Sequence, residues 1–380
     1  APVAPIREEV KPQEKKVSFQ LYGTAMEVRF NDEQRFRLAD YSEAAVADAW
    51  EKLAGKEYNN TIRDCLALRI KHQLSDWAYL EMLQMMATAC LGNGNEATLL
   101  MAFVYCQSGY KMRMGFADGQ LCLLYASNHY VYDKSFFMIG DERFYPLNSQ
   151  AQRMQICAVG FPQEKPLSLL VPKEQLFAQN TTPKRTLTAK RYPEMSLTMS
   201  VNKNSLDFMT HYPTSFINDD VMTRWAMYAN KPLDSVAKDE LYPAIREKLK
   251  GLSQKEAMER LLNWVQTAFV YEYDDKVWGD DRAFFPEETL YYPYCDCEDR
   301  SILLSRLVRD LLGLKAILIY YPGHLAMAVG FTEDVKGNYI LLQGKKYVVC
   351  DPTYIGAPVG VTMEGIYNET AKEILLDPNI

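Results

Sequence analysis

Two stretches of this 380-residue chain repeat one another in phase, which is the strongest constraint on its fold. Without gaps, an offset of 204 lays Gly313-Leu314-Lys315-Ala316 on Gly109-Tyr110-Lys111-Met112, and Gly323-His324-Leu325 on Gly119-Gln120-Leu121. Upstream, an offset of 178 brings Leu252-Ser253 onto Leu74-Ser75 and sets Met258, Leu261 and Trp264 over Leu80, Leu83 and Met86. It also lays Ser196-Leu197-Thr198-Met199 on Ser18-Phe19-Gln20-Leu21, and Phe208 on Phe30. The change of offset is an insertion of 26 residues, Phe269 to Tyr294, in the second copy. A repeat of this length, with helix caps and apolar positions kept in phase, implies two domains of one fold. The expected division is a disordered lead over 1–16, a first domain over 17–160, a connector over 161–194 and a second domain over 195–380.

Within the second copy, three reactive residue types fall at three successive element boundaries. Cys297 opens an apolar helical run in which Ile302, Leu303, Leu304, Leu307, Val308, Leu311 and Leu312 recur at helical spacing, and Gly313 ends it. Ala316 to Tyr321 reads as a buried strand, Pro322-Gly323 as a turn, and His324 as the start of the strand pairing back. Tyr347 to Asp351 is a further short strand closed by Pro352, which cannot continue a central ladder. A thiol at a helix start feels the positive end of the helix dipole, and an adjacent imidazolium favours its anion, so Cys297 is expected to titrate below a free cysteine. Asp351 would orient His324 and stabilise its cation.

The order Cys, His, Asp on helix, strand and strand resembles that of the transglutaminase-like superfamily, relatives of the papain-like cysteine peptidases. The motifs carrying the resemblance are the C-x-D-x-[AS] opening Cys297-Glu298-Asp299-Arg300-Ser301, Gly323-His324, and Asp351-Pro352-Thr353. Phe285-Pro286-Glu287-Glu288-Thr289-Leu290 is similar to the approach to the cysteine in bacterial members. The resemblance implies an α+β fold, two tandem domains each with a helical lobe packed on an antiparallel sheet, and a Cys297, His324, Asp351 triad acting on an amide or peptide acyl group. The family holds both peptidases and amine-transferring enzymes, and Leu325 stands where Ala-Trp is frequent after the His.

In the first copy the offset of 204 carries the nucleophile to Asn93 and Asp299 to Asn95, and the base to Gln120. Phe144-Tyr145-Pro146 matches Cys350-Asp351-Pro352 and puts Tyr145 at the acid position. None of these residues can run thiolate chemistry, so the first domain is expected to be a catalytically dead platform or brace. The insertion before Cys297 is rich in aromatic rings. Trp278, Tyr292 and Tyr294 are the expected substrate-binding residues, although rings in such a loop can equally cap an exposed core end.

Net charge of −7 and no basic cluster argue against nucleic acid. No apolar run is long enough for a transmembrane segment. Cys295 and Cys297 with a His and an Asp could in principle hold zinc or form a redox pair, but the spacing is unlike a zinc knuckle, and no metal or cofactor is expected. The remaining cysteines show no disulfide framework. The chain lacks an initiator Met, as would a mature product with its secretion signal removed, giving a periplasmic or cell-surface (secreted) expectation; a product trimmed for expression would look the same. The expected partner is a peptide or protein substrate, cell-wall peptide included. The competing class is a non-catalytic peptide- or glycan-binding protein on the same scaffold.

Overall fold

The computed structural model of the protein describes residues 15–376, and most of the expected lead lies outside them. By packing, the chain divides into two units. One runs to Leu170 and includes Gln175–Ala178 and Pro213–Asp219; the other takes Val171–Glu174, Gln179–Tyr212 and the chain from Asp220 onward.

The first unit begins with a hairpin, β1 (Lys16–Leu21) and β2 (Thr24–Arg29), turned at Tyr22-Gly23, both with positive φ as a two-residue hairpin turn requires. Helices α1 (Glu43–Leu53), α2 (Asn59–Lys71), α3 (Asp76–Leu91) and α4 (Asn95–Gln107) follow. Ser42 and Ser75 cap α1 and α3, each hydroxyl accepting from the third amide beyond it. Then come β3 (Met112–Ala117), β4 (Gln120–Ala126), β5 (His129–Val131), β6 (Phe137–Ile139), β7 (Glu142–Pro146) and β8 (Gln155–Cys157). Five of these strands form an antiparallel sheet in the order β6-β7-β4-β3-β8.

The second unit also begins with a hairpin, β9 (Arg185–Thr188) and β10 (Ser196–Met199), followed by α5 (Lys203–Thr210). After it, β11 (Ser215–Ile217) pairs with β5 and so belongs to the first unit. Helices α6 (Thr223–Asn230), α7 (Ser235–Leu249) and α8 (Gln254–Ala268) come next, α8 opening on a Ser253/Glu256 capping box. The inserted segment contributes β12 (Val270–Tyr271), α9 (Asp274–Val277), α10 (Pro286–Tyr291) and β13 (Tyr294–Cys295). It leads into α11 (Cys297–Leu307), whose Ile302, Leu303, Leu304 and Leu307 are fully buried, each worth roughly 1.5–3 kcal/mol of burial. A π-helical turn, Val308–Leu312, follows, and Gly313 at φ 63° closes the helix in the left-handed region. Strands β14 (Lys315–Tyr321), β15 (His324–Gly330), β16 (Tyr339–Leu342), β17 (Lys345–Cys350) and β18 (Lys372–Leu375) form an antiparallel sheet in the order β16-β17-β15-β14-β18.

Numbered from the helix that precedes it, each sheet therefore has the same strand order, third, fourth, second, first, fifth. Both units are α+β, with a helix running into an antiparallel sheet. Two expectations are corrected. No separate connector spans 161–194: Leu167 and Leu169 are buried in the first unit, and residues 185–188 are a strand of the second. Ser196–Met199 is the second strand of its hairpin whereas Ser18–Leu21 lies in the first of its own, and Phe208 is helical, so the offset of 178 fails before α8.

In the second unit, α10 places two consecutive glutamates in the interior. Glu288 accepts the Phe285 amide at 2.9 Å and pairs with Arg282; Glu287 accepts Lys231 Nζ at 2.7 Å and the Asp234 amide at 2.7 Å. Lys231 also meets Asp234 at 2.6 Å, so one buried cation faces two buried carboxyls, and Asp234 Oδ2 and Glu287 Oε2 have no partner. Burial pushes Glu287 up to about 7 against the pull of Lys231, and Glu288 to about 7 against Arg282. Lys231→Met should cost the second unit about 3–5 kcal/mol in urea unfolding, since it leaves both carboxyls without a cation; a loss below about 1 kcal/mol would mean that a shared proton balances the pair. Because both glutamates bind protons more tightly folded than unfolded, their contribution should be greatest at acid pH and fall as pH rises from about 4.5 to about 7. Urea midpoints across that window check the sign.

Candidate active site

Asp296 begins α11. Its Oδ1 accepts the Glu298 and Asp299 amides at 2.9 and 3.3 Å, and Asp299 returns Oδ2 to the Asp296 amide at 3.0 Å while its Oδ1 takes the Phe284 amide at 2.9 Å. Two of the orphan amides of the first turn are thereby satisfied. Cys297 is the first helical residue, and among the described residues its own N–H has no acceptor. One turn on, Ser301 Oγ donates to the Leu325 carbonyl at 3.1 Å, seating the start of β15 against α11. The Leu325 N–H is offered to the Cys297 sulfur.

His324 is the first residue of β15, paired with Tyr321 across the Pro322-Gly323 turn, where Gly323 at φ 76° takes the left-handed position. Its Nε2 lies 2.8 Å from Asp351 Oδ2. The other oxygen, Oδ1, accepts the Thr353 and Tyr354 amides at 2.8 and 3.2 Å, an Asx turn that the Asp-Pro-Thr sequence favours. As a carboxylate, Asp351 accepts from Nε2–H, which leaves Nδ1 as the basic nitrogen. The turn is clamped in turn by buried Gln266, whose Nε2 reaches the carbonyls of Asp351, Tyr354 and Ala357 at 2.9–3.0 Å. Arg300, 1% exposed, donates to the carbonyls of Gln266, Phe269 and Pro352 and to Cys295 Sγ. Gln266, Arg300 and Tyr271 were not selected from the sequence; for the first two, the only signal was polar residues inside apolar helical faces.

The structure brings His324 and Asp351 into direct contact and puts Cys297 on the element that packs against β15. Among the described residues, no hydrogen bond joins the Cys297 sulfur to His324. The expected low thiol pKa is also corrected. Burial first, then the neighbouring Asp296, Glu298 and Asp299, hold the Cys297 thiol well above the ordinary cysteine range, outweighing the Leu325 amide. The helix dipole is answered by too many acids. Burial and Glu298 push Asp296 itself up to about 7. The aromatic neighbour of the sulfur is Tyr271, whose phenol is raised by burial and by Cys297, with the Arg300 guanidinium 5.3 Å from its ring centre.

The expected substrate aromatics are arranged differently. Trp278 and Tyr292 (ring centres 4.8 Å apart) pack with Phe284 around Arg282, and Tyr292 is tied to a residue outside the insertion, its carbonyl accepting from Arg185 at 2.7 Å. Tyr294 stands apart on β13, 41% exposed.

The degenerate site is also shifted from its expected residues. Asn93 is exposed in the loop before α4, and Asn95 is the first helical residue: its Oδ1 accepts the Leu121 amide at 2.8 Å, as the Cys297 sulfur faces that of Leu325. The helix starts stand 202 apart and the closing glycines 204 apart, so two of the extra residues lie inside the second helix, which ends in the π-helical turn. Gln120 opens β4 as His324 opens β15. Tyr145 is interior to β7, its hydroxyl bonded to the His129 carbonyl and the Val131 amide; strand register instead puts Asn148 where Asp351 stands. A buried His129–Ser215 contact in the same unit is no catalytic pair, because His129 Nε2 accepts the Leu169 amide and Nδ1 must therefore donate.

Compared with family models, curated proteins and solved structures, the chain matches none. Among the described residues, no helix is long and apolar enough to cross a membrane, and no group of three or more His, Cys, Asp or Glu is placed to hold a metal ion.

Asp296→Asn keeps a capping oxygen but removes the charge that, after burial, does most to hold the thiol protonated. Since Asp296 titrates at about 7, the substitution should speed iodoacetamide labelling of Cys297 above that pH and lose its effect as pH falls through it. Mass-spectrometric labelling against pH, with exposed Cys157 as internal reference, reads this directly.

Proposed function

We propose that the second unit is a cysteine enzyme of transglutaminase-like type that hydrolyses or transfers an amide or peptide acyl group. The observation that carries this reading is the 2.8 Å contact between His324 Nε2 and Asp351 Oδ2, at the mouth of the strand that packs on the Cys297 helix start. An Asp held by two backbone amides and a fixed imidazole tautomer are what general-base activation of a thiol needs. The sulfur attacks the substrate carbonyl while its proton passes to His324 Nδ1. The tetrahedral oxyanion is met by the open Cys297 N–H at the positive end of α11. His324 returns the proton to the leaving amine, and the acyl-enzyme is released to water or to an amine. The first unit, with Asn95, Gln120 and Asn148 in the corresponding positions, has no nucleophile and no base, and supports the enzyme without sharing its chemistry. A bacterial exported setting with peptide substrates, cell-wall peptide among them, is part of the same reading.

One observation favours a second reading, a non-catalytic binding protein: the thiol is kept protonated by burial and by acids and is not bonded to His324. Turnover decides between them. On peptide and glutamine-amide substrates, Cys297→Ala should abolish activity and His324→Ala should lower kcat by at least about a hundredfold, while Asp351→Ala retains a measurable fraction. Asn95→Ala and Gln120→Ala should leave kcat unchanged. Activity that survives Cys297→Ala overturns the assignment, and absence of turnover on every substrate supports the binding reading.

A further inference from the structure

Cys297 is followed by a carboxyl that the catalytic reading does not use. The Glu298 side chain is only 12% exposed, and its charge is one of those that hold the neighbouring thiol protonated. It is answered by Arg224 near the start of α6, equally buried, whose Nη2 lies 3.1 Å from Glu298 Oε1. The same nitrogen lies 2.8 Å from Oδ2 of Asp281, which is 62% exposed in the loop between α9 and α10. One guanidinium nitrogen is thus divided between a carboxyl beside the sulfur and a carboxyl at the surface.

The two halves of this bridge are unequal. The inner pair is withdrawn from water, and the face of the Trp225 ring lies 4.7 Å from the guanidinium, so its attraction is little screened. The outer pair has a partner in solvent, where screening and side-chain freedom leave an ion pair little strength. Burial raises the Glu298 carboxyl; Arg224 pulls it down and Asp281 pushes it up, so the two rivals act on it in opposite senses. Asp281 is also free to turn. Gly279, Asp280 and Asp281 are exposed, whereas the loop is pinned one residue on, where the Arg282 amide donates to Asp274 at 2.7 Å and its side chain pairs with Glu288.

An incoming cation therefore meets Asp281 first, breaks the weaker half, and leaves the inner half intact. We propose that Arg224 is a charge relay for Cys297: a basic side chain of the substrate docks on Asp281, Arg224 passes wholly to Glu298, and the thiol ionises more readily. Amides flanked by a basic residue are then the preferred substrates. The relay rests on Cys297 being the nucleophile, and it explains a thiol held protonated until substrate arrives.

The test follows iodoacetamide labelling of Cys297 in the full chain by mass spectrometry, at constant ionic strength and about pH 8, with exposed Cys157 as reference. Acetyl-argininamide should speed labelling at least about threefold, while acetyl-citrullinamide, of the same shape without the charge, should not. Asp281→Asn should label at least about threefold faster than wild type with no probe present, respond no further to acetyl-argininamide, and keep its thermal melt. In a Glu298→Gln background, Asp281→Asn should add nothing. Wild-type labelling in Asp281→Asn overturns the relay, and so does an equal acceleration in the Glu298→Gln background, which would mean that Asp281 acts on the sulfur directly. Indifference to acetyl-argininamide, or an equal response to acetyl-citrullinamide, overturns the docking of a cation. Turnover separates this from the enzyme reading: kcat/KM should be at least about tenfold higher for a peptide with arginine beside the scissile amide than for its citrulline counterpart. Equal values overturn the substrate preference. Labelling that responds as expected without turnover on any peptide rejects the enzyme and keeps the relay; turnover without a labelling response rejects the relay alone.

Discussion

The candidate site depends on a single buried cation that, among the described residues, has no carboxylate to pair with. Arg300 sits one turn into α11, inside the protein, and spends its donors on three backbone carbonyls from three segments: the end of α8, the chain entering β12, and the turn after Asp351. Carbonyl dipoles and the face of Tyr271 take the place of a counter-ion. A guanidinium can do this where an ammonium cannot, because its planar fork addresses several acceptors at fixed angles. Through those bonds, the helix that begins at Cys297 and the turn that follows Asp351 share one anchor, and Gln266 doubles it from the side of α8.

Against that anchor stands a local excess of negative charge at the helix start. Asp296 and Asp299 are there because they cap one another and the first-turn amides, a structural role that would be met by any good capping pair. Burial makes the role costly, and the site answers by keeping protons: Asp296 titrates near 7, and Asp299 is raised further by burial and by Asp296. The same proton retention reaches the thiol. Helix start, cap and nucleophile are therefore one electrostatic unit, in which the geometry favours a thiolate and the neighbours oppose it.

Much of this was legible in the sequence, and where it was not the reason is local. Ser75 and Ser253 marked helix starts because a capping hydroxyl before an apolar stripe has few other uses, and Gly313 and Pro322-Gly323 marked their stop and turn because only such residues accept those dihedrals cheaply. His324 and Asp351 fell into contact because strand starts and ends are fixed by those same signals. Residue offsets carried less. Asn95 rather than Asn93 holds the nucleophile's place because a π-helical turn adds length to the second helix without changing the apolar pattern around it. Asn148 rather than Tyr145 holds the acid's place, because the aromatic-proline pair imitates a strand end that register puts further on. Trp278 and Tyr292 could not be read as a cluster about Arg282, since ring composition gives no direction in which the rings face.

The short strand β11 has a consequence of a different kind. Its residues lie between β10 and α6, which belong to the second unit, yet Phe216 stacks on Tyr130 and Ser215 meets His129 in the first. The polypeptide thus lends a strand out and takes its thread back. Neither unit corresponds to one uninterrupted stretch of the chain, so no single cut releases either of them whole. Recombination, truncation and domain grafting in this molecule all meet that stitch first.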